Sequence, residues 1–287
     1  MATVSVVIPS LNDAEMLRHC LAALAAQTRA PDEIIVVDNG SDDDTAEVAR
    51  VAGARVVAEP VRGVLRATAA GFDAARGEIV GRLDADSLPA PDWAARLDER
   101  FSADPTLTAL TGTGTFYGGS RFWHFVGHHV YLGGYLFVFR AVIGHVPLFG
   151  SNFAMRRDVW LGIRPRVHVD DPHAHDDLDI SLVLPPDAGI EFDPRLHVQV
   201  SARPFESWAG FGRRASWAFH IVGVNLREVP WLRRVWRCAQ GRRNRRRRQR
   251  ELGLRELGLR HPHRPGPLRR RARRATADES SRPVNPA

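Results

Sequence analysis

Four stretches decide the fold: Val4-Ser-Val-Val-Ile8, Ile34-Ile-Val-Val37, Arg55-Val-Val57 and Glu78-Ile-Val-Gly-Arg-Leu83. Each is a short, apolar run of the kind that a strand buried on both faces requires. Between them lie helix patterns at 14–26, with Leu17, Leu21 and Leu24 on one face, at 45–52 and at 67–75. Continuous apolar strands alternating with helices build right-handed βαβ units, so the expected fold is α/β, a mostly parallel twisted sheet flanked by helices. Ligands bind such sheets beyond the carboxyl ends of the strands. Residues 9–13, 38–44, 59–63 and 84–87 are therefore the first places to look for a site.

Outward from this core the chain changes character. Residues 1–105 read as a ligand-binding half. Residues 106–236 read as a less regular second half, rich in glycine and aromatic residues, with an acidic cluster at 170–179. Residues 237–287 read as an arginine-rich, disordered tail. The chain has 287 residues, 40 basic against 33 acidic, and every basic residue is arginine. Without lysine, Schiff-base, pyridoxal-phosphate, Walker-A and protein-kinase chemistries are excluded. From Arg233 onward there are 19 arginines against four acids, whereas residues 1–232 carry 21 against 29. An acidic body joined to a basic tail argues against a nucleic-acid-binding domain and for a tail that meets an anionic surface.

Cys20 and Cys238 imply no disulfide framework and fit a reducing compartment, and no secretory signal is visible. The stretch 122–149 is apolar but is interrupted by His124, His128, His129, Arg140 and His145. It reads as a core or interfacial helix pair, since a membrane span needs about 20 mostly apolar residues.

Three features carry chemistry. Asp38 opens Asp-Asn-Gly-Ser-Asp-Asp-Asp-Thr45, where a carboxylate can accept hydrogen bonds from a base or ribose, or form an Asx turn. Asp84-Ala-Asp86 follows the fourth strand, and residues i and i+2 in extended backbone point the same way. Two such carboxylates suit Mg²⁺ or Mn²⁺ on a diphosphate. His175-Asp-Asp-Leu-Asp179 reads as a base carboxylate at a helix start. A metal site from His168, Asp170, Asp171, His173 and His175 is the competing reading, although the spacing matches no tetrahedral zinc pattern.

Val4-Ser-Val-Val-Ile-Pro-Ser-Leu-Asn12, Val36-Val-Asp-Asn-Gly-Ser-Asp-Asp-Asp-Thr45 and Leu83-Asp-Ala-Asp86, in this order, resemble a family-2 glycosyltransferase of GT-A fold, over about residues 3–220. That resemblance implies inverting transfer of a sugar from a nucleotide donor. It places Pro9, Asn12, Asp38 and Asn39 at the base and ribose, and Asp84 and Asp86 at ribose and metal–diphosphate. Gly150, Ser151 and Asn152 would form the acceptor-side loop. Asp176-Asp177 takes the place of the family's Glu-Asp pair, with Asp177 as catalytic base. Inversion needs a carboxylate opposite the leaving group and positive charge on the diphosphate. With no lysine, a divalent ion and arginines must supply that charge; Arg62, Arg213 and Arg214 are candidates, whereas Arg203 can instead be a structural ion pair.

The sequence departs from the family pattern at Thr68-Ala69, where an Arg-Asn pair is usual. Gly212-Arg-Arg-Ala-Ser-Trp217 only faintly resembles the motif of processive synthases, which favours transfer of a single sugar. The donor is expected to be UDP- or GDP-linked, and the acceptor a glycan or lipid-linked hydroxyl. The tail is expected to hold the enzyme peripherally at the inner face of the cytoplasmic membrane, and nucleic acid is not an expected partner. The alternative is a non-catalytic sugar-nucleotide or lipid-binding protein on the same fold. Pro9-Ser-Leu-Asn-Asp13 contains no glycine, so nucleotidyltransferase and dinucleotide-binding readings fail.

Overall fold

The computed structural model describes residues 1–118, 133–203 and 208–256. Strands β1 (Val4–Ser10), β2 (Glu33–Asp38), β3 (Arg55–Ala58) and β4 (Ile79–Arg82) pair in parallel around β1. Helices α1 (Ala14–Ala25), α2 (Thr45–Val51) and α3 (Val64–Ala74) connect them, as the apolar pattern requires. Alternate residues of β1 feed two core layers. Val4, Val6 and Ile8 pack with Leu17, Leu21 and Leu24 of α1, whereas Val7 packs with Leu65 and Phe72 of α3. Gly71 lets α3 lie directly on the sheet, because a Cβ there would stand 2.3 Å from Val7 Cγ1 and 2.8 Å from Val37 Cγ2.

The second half adds β5 (Leu88–Pro89), α4 (Trp93–Ala103), β6 (Ala109–Tyr117), α5 (Gly133–Ile143), β7 (Phe153–Arg156), α6 (Arg157–Ile163), α7 (Asp176–Val183) and β8 (Ile190–Ser201). Helices α8 (Trp208–Glu228) and α9 (Trp231–Glu256) follow. All eight strands join one sheet in the order β3-β2-β1-β4-β7-β6-β8-β5. Residues 1–105 and 106–236 thus share a sheet, and Met1–Gln249 forms one compact unit. Strand β7 runs antiparallel to β4, with Phe153 opposite Arg82. The residues entering β7 therefore meet the residues leaving β4. This reversal, which the parallel pattern of the first half does not announce, assembles the site.

The disordered tail expected from residue 237 is corrected over its first part, because 237–256 belong to α9. Arg234, Cys238, Gly241 and Arg245 recur at helical spacing on one face. Arg234 Nη1 donates to Leu182 O at 2.5 Å, and Arg245 Nη2 pairs with Asp104 at 3.0 Å and Glu191 at 3.2 Å. A run of arginine resembles solvated disorder in composition, yet arginine is a good helix former and here has carboxylates to meet. The remainder of that tail, 257–287, and the start of the apolar stretch, 122–132, lie outside the described residues. Among the described residues no helix is long and apolar enough to cross a membrane.

Candidate active site

The C-terminal ends of β1, β2 and β4 open at the point where the chain order reverses around β1. Strand β4 pairs with β1 only as far as Val7, so Pro9 and Ser10 project beyond it, with Ser10 beside Asp38 of β2. The Asp38 Oδ1 atom accepts the Ser41 N–H at 3.0 Å, the Asx turn weighed above, while Oδ2 takes no hydrogen bond from a described residue. Asn12, at φ 54°, accepts the Asp42 N–H through Oδ1 at 2.7 Å and donates its own N–H to Ser41 Oγ at 3.0 Å. It clips the 38–44 loop to the end of β1. Arg62 lies on the rim, exposed, with Nη2 3.4 Å from Asp42.

Asn39 and Asn152 are corrected from lining residues to framing ones. Asn39 is 4% exposed, donates Nδ2 to Glu59 O and Val61 O, and accepts the Gly63 N–H. Asn152 is fully buried, accepts the Trp93 indole N–H at 2.8 Å, and donates to Thr113 O and Leu196 O. Burying an amide requires such partners, and both side chains fix loops.

The Asp84-Ala-Asp86 motif also differs from expectation. Strand β4 ends at Arg82, and the Ser87 N–H bonds to Asp84 O at 3.0 Å, closing a turn. The two carboxylates diverge from an extended arrangement because Ser87 Oγ also accepts the Asp84 N–H. Asp84 receives Arg82 Nη1 on one oxygen and Ser151 Oγ on the other, each at 2.5 Å. Asp86 lies 3.8 Å from Arg203, whose Nη2 also donates to Asp13 at 3.0 Å, and its carbonyl accepts the Tyr117 hydroxyl at 2.8 Å. Burial, then the Asp86 charge, pushes that phenol up to about 12, so it stays a donor.

At the centre is Arg82, which motif reading passed over as a strand residue. It is 2% exposed. Its guanidinium reaches Asp84 Oδ1, Gly150 O at 2.5 Å and Asp176 Oδ2 at 3.0 Å. Burial opposes its charge, but Asp176, Asp84 and Asp177 outweigh that and hold its pKa above the ordinary value. Asp176 also accepts the Thr68 hydroxyl at 2.6 Å. Thr68 is thus a partner for the acidic pair at the position where the sequence departs from the family pattern.

Asp177 stands beside this cluster at the start of α7. Its Oδ2 accepts the Gly150 N–H at 3.0 Å and its Oδ1 the Leu178 N–H at 2.7 Å. Burial first, then the neighbouring Asp176 charge, raises its pKa above the usual carboxylate range. A Cβ at position 150 would lie 3.1 Å from Asp177 Oδ2, so glycine suits the approach. Gly150, Ser151, Asp84, Asp176 and Asp177 are thereby brought to one place. The Arg213 and Arg214 side chains lie outside the described residues.

The competing metal reading of the His-rich loop finds no support among the described residues, where no group of three or more His, Cys, Asp or Glu could hold an ion. His168 Nδ1 instead meets Asp179 at 2.7 Å and Nε2 meets Glu228 at 3.1 Å. Asp170 pairs with Arg66, and Asp171 with His220. Although burial disfavours charge on His168, hydrogen bonds and charge from Asp179 and Glu228 raise its pKa. A raised histidine pKa contributes stability that is complete below the unfolded value, about 6.5, and is lost as pH rises through the folded one. His168→Gln should therefore lower the melting temperature at pH 6 and matter progressively less toward pH 9.

Comparison with known proteins completes the description. A sequence model of the family described as glycosyl transferase family 2 matches residues 5–161, more than half of the chain. An uncharacterized glycosyltransferase of Mycobacterium tuberculosis is 48% identical over 100 residues, 33% of this chain and 44% of that protein. The undecaprenyl-phosphate 4-deoxy-4-formamido-L-arabinose transferase of Pseudomonas paraeruginosa is 40% identical over 108 residues, 34% of this chain and 32% of that one. The matches span less than half the length of these relatives. Among solved structures, glucosyl-3-phosphoglycerate synthase from M. tuberculosis in complex with Mg²⁺ and uridine diphosphate superposes with a TM-score of 0.58 at 24% identity, covering 78% of this chain and 79% of that one.

Proposed function

The chain belongs to glycosyl transferase family 2 and has its GT-A fold, and from that membership we propose that it moves a single sugar, with inversion, from a nucleotide-diphosphate sugar to a hydroxyl of a lipid-linked or glycan acceptor. The observation that carries this reading is the convergence of Asp177, with its raised pKa, on the Asp84 cluster through Arg82 and Gly150. A carboxylate whose proton affinity is raised is the better general base at neutral pH.

In this reading Asp38 Oδ2 and the projecting Pro9 receive the base and ribose, and Arg62 reaches over them from the rim. Asp84 and Asp86 suit a hard divalent ion. Arg82 and Ser151 hold the Asp84 carboxylate in place, and carboxylate oxygens are the hard ligands such an ion would take. Asp84 and Asp86 would hold Mg²⁺ or Mn²⁺, whose positive charge would offset the negative charge developing on a departing diphosphate. Arg203, half exposed beside Asp86, supplies more from the protein. Asp177 takes the proton from the acceptor hydroxyl, while the Gly150 N–H and the start of α7 fix its orientation. Asp176, held in place by Arg82 and Thr68, keeps a negative charge beside Asp177 and so raises its proton affinity. The undecaprenyl-phosphate transferase relative supports a lipid-linked acceptor, and work at the inner membrane face would suit such an acceptor.

A panel of UDP- and GDP-sugars, assayed for transfer or slow hydrolysis with Mn²⁺ or Mg²⁺, tests this. At least one donor should turn over, and Asp86→Ala should lower turnover by about a hundredfold or more, the scale of losing one group that stabilises developing charge. No turnover of any donor, or turnover indifferent to Asp86, would overturn the reading.

A further inference from the structure

Helix α9 docks on the body by one face, through Arg234, Cys238, Gly241 and Arg245, and so turns the opposite face to solvent. That outer face is not polar throughout. Leu232 is 74% exposed and Trp236 is 61% exposed, one helical turn apart on that face, while Trp231, 47% exposed, stands at the border of the docked face. The Trp231 indole N–H donates to Ala141 O at 3.2 Å, and Arg242 donates to Gly144 O, so the beginning of α9 lies along the end of α5. Helix α5 adds Phe137, 80% exposed, and Val138, 46% exposed. Five large apolar side chains thus stand out from two adjoining helices, although burying them would be favourable.

The charges around them have one sign. Arg233, Arg237, Arg243 and Arg246 of α9 and Arg140 of α5 are exposed, and none forms an ion pair among the described residues. Arg245, on the docked face, has two carboxylates. Where α9 meets the body its arginines have partners, the Leu182 carbonyl for Arg234 and two carboxylates for Arg245, whereas the solvent-facing arginines form no ion pair among the described residues. Exposed tryptophan, leucine and phenylalanine ringed by unneutralised arginine match the apolar boundary and anionic headgroups of a membrane surface. A nucleic acid would use the arginines but leave Leu232, Phe137 and Val138 without a role.

The geometry points to the outer face of α5 and α9 as a membrane-docking surface, whose partner is an anionic lipid bilayer entered shallowly by Trp231, Leu232, Trp236 and Phe137. This deepens the lipid-linked reading of the acceptor, and it moves membrane attachment from the terminal arginines to a folded, partly apolar face. Insertion of Trp236 orders nothing new, because the helix is already held by its opposite side. The charged rim adds about fivefold in affinity per arginine near the surface at low salt.

The test is sedimentation of the full chain with vesicles of phosphatidylcholine containing phosphatidylglycerol, with pure phosphatidylcholine vesicles and with a soluble polyanion. The wild type should bind the mixed vesicles, and more weakly as salt rises. Leu232→Glu with Trp236→Glu should reduce that binding about tenfold or more while the melting temperature stays unchanged, because both side chains already face water. Replacing Arg260, Arg264, Arg269, Arg270 and Arg271 by glutamine in the full chain should cost less than the helix variant. Quenching of tryptophan fluorescence by brominated lipid should weaken in Trp236→Phe. Equal binding by the Leu232–Trp236 variant and the wild type would overturn the proposal, as would equal binding to both vesicle types. Preference for the polyanion, with no quenching by brominated lipid, would instead assign the face to nucleic acid and overturn it too. Sedimentation does not depend on turnover, so this proposal and the proposed activity fail separately.

Discussion

Asp177→Asn should lower kcat by about 10²–10⁴-fold, the range for losing a positioned general base, and leave donor binding within a few-fold of wild type. Asparagine keeps the size of the side chain and an oxygen for the Gly150 N–H, but it cannot take a proton. The stability effect has the opposite sign. The folded-state pKa of Asp177 is raised by burial and by Asp176. Its stabilising contribution is therefore complete only below the unfolded value, about 3.8, and is lost as pH rises through the folded one. Above the unfolded value the raised pKa costs stability, so at pH 7 the variant should melt at the same temperature as wild type or higher, with the gap closing in acid. The wild-type kcat/KM profile should show an acid limb above the ordinary carboxylate range. An inactive variant that has also lost stability would point to a structural role instead, and an active one would remove Asp177 as the base.

Arg82→Met should be the most destabilising substitution in the site. The arginine and Asp176 are 3% and 4% exposed at the side chain, and their nitrogen and oxygen lie 3.0 Å apart. Removing one member of a buried pair leaves the other charge uncompensated, at a cost of about 3–5 kcal/mol. At roughly 2–4 °C per kcal/mol for a domain of this size, the melting temperature should fall by about 10 °C. Asp84, more than a third exposed, regains water when Arg82 is lost and adds little. Arg82→Met combined with Asp176→Leu should recover most of the stability, since apolar groups can replace a buried pair at little cost. It should not recover activity, because Gly150 and Asp84 would still lack the guanidinium that holds them together. Recovery of turnover in the double variant would show that Arg82 serves packing alone. Thermal denaturation and turnover measured on the same three variants separate these outcomes.

Much of this protein was legible in its residues. Apolar runs at 4–8, 34–37, 55–57 and 78–83 determined four parallel strands, because a strand buried on both faces tolerates little else. Their polar ends marked the first places to look for a site, and the absence of lysine confined positive charge to arginine. These inferences succeed because each depends on contacts within one βαβ unit. Asp38, Asp84 and the acidic start of α7 were singled out as candidates by the same local logic. The loop-framing bonds of Asn39 and Asn152 were not legible, since a side-chain amide reads alike whether it faces a ligand or two carbonyls and an N–H.

What only the tertiary structure decided depends on distant partners. The antiparallel insertion of β7 beside β4 sets Gly150 against Arg82, 68 residues away, and no periodicity in either segment encodes that pairing. Arg82 reads as one polar residue in a strand until Asp84, Asp176 and Gly150 converge on it. The arginines of α9 follow the same rule. Composition alone makes them a solvated run, and only the fold brings Arg234 to the Leu182 carbonyl and Arg245 to Asp104 and Glu191 while leaving others facing solvent. Local sequence determines the backbone because its hydrogen bonds and apolar burial are local. The pairing of charges depends on which carboxylate the fold brings within a few ångströms, and that is settled only when the sheet closes.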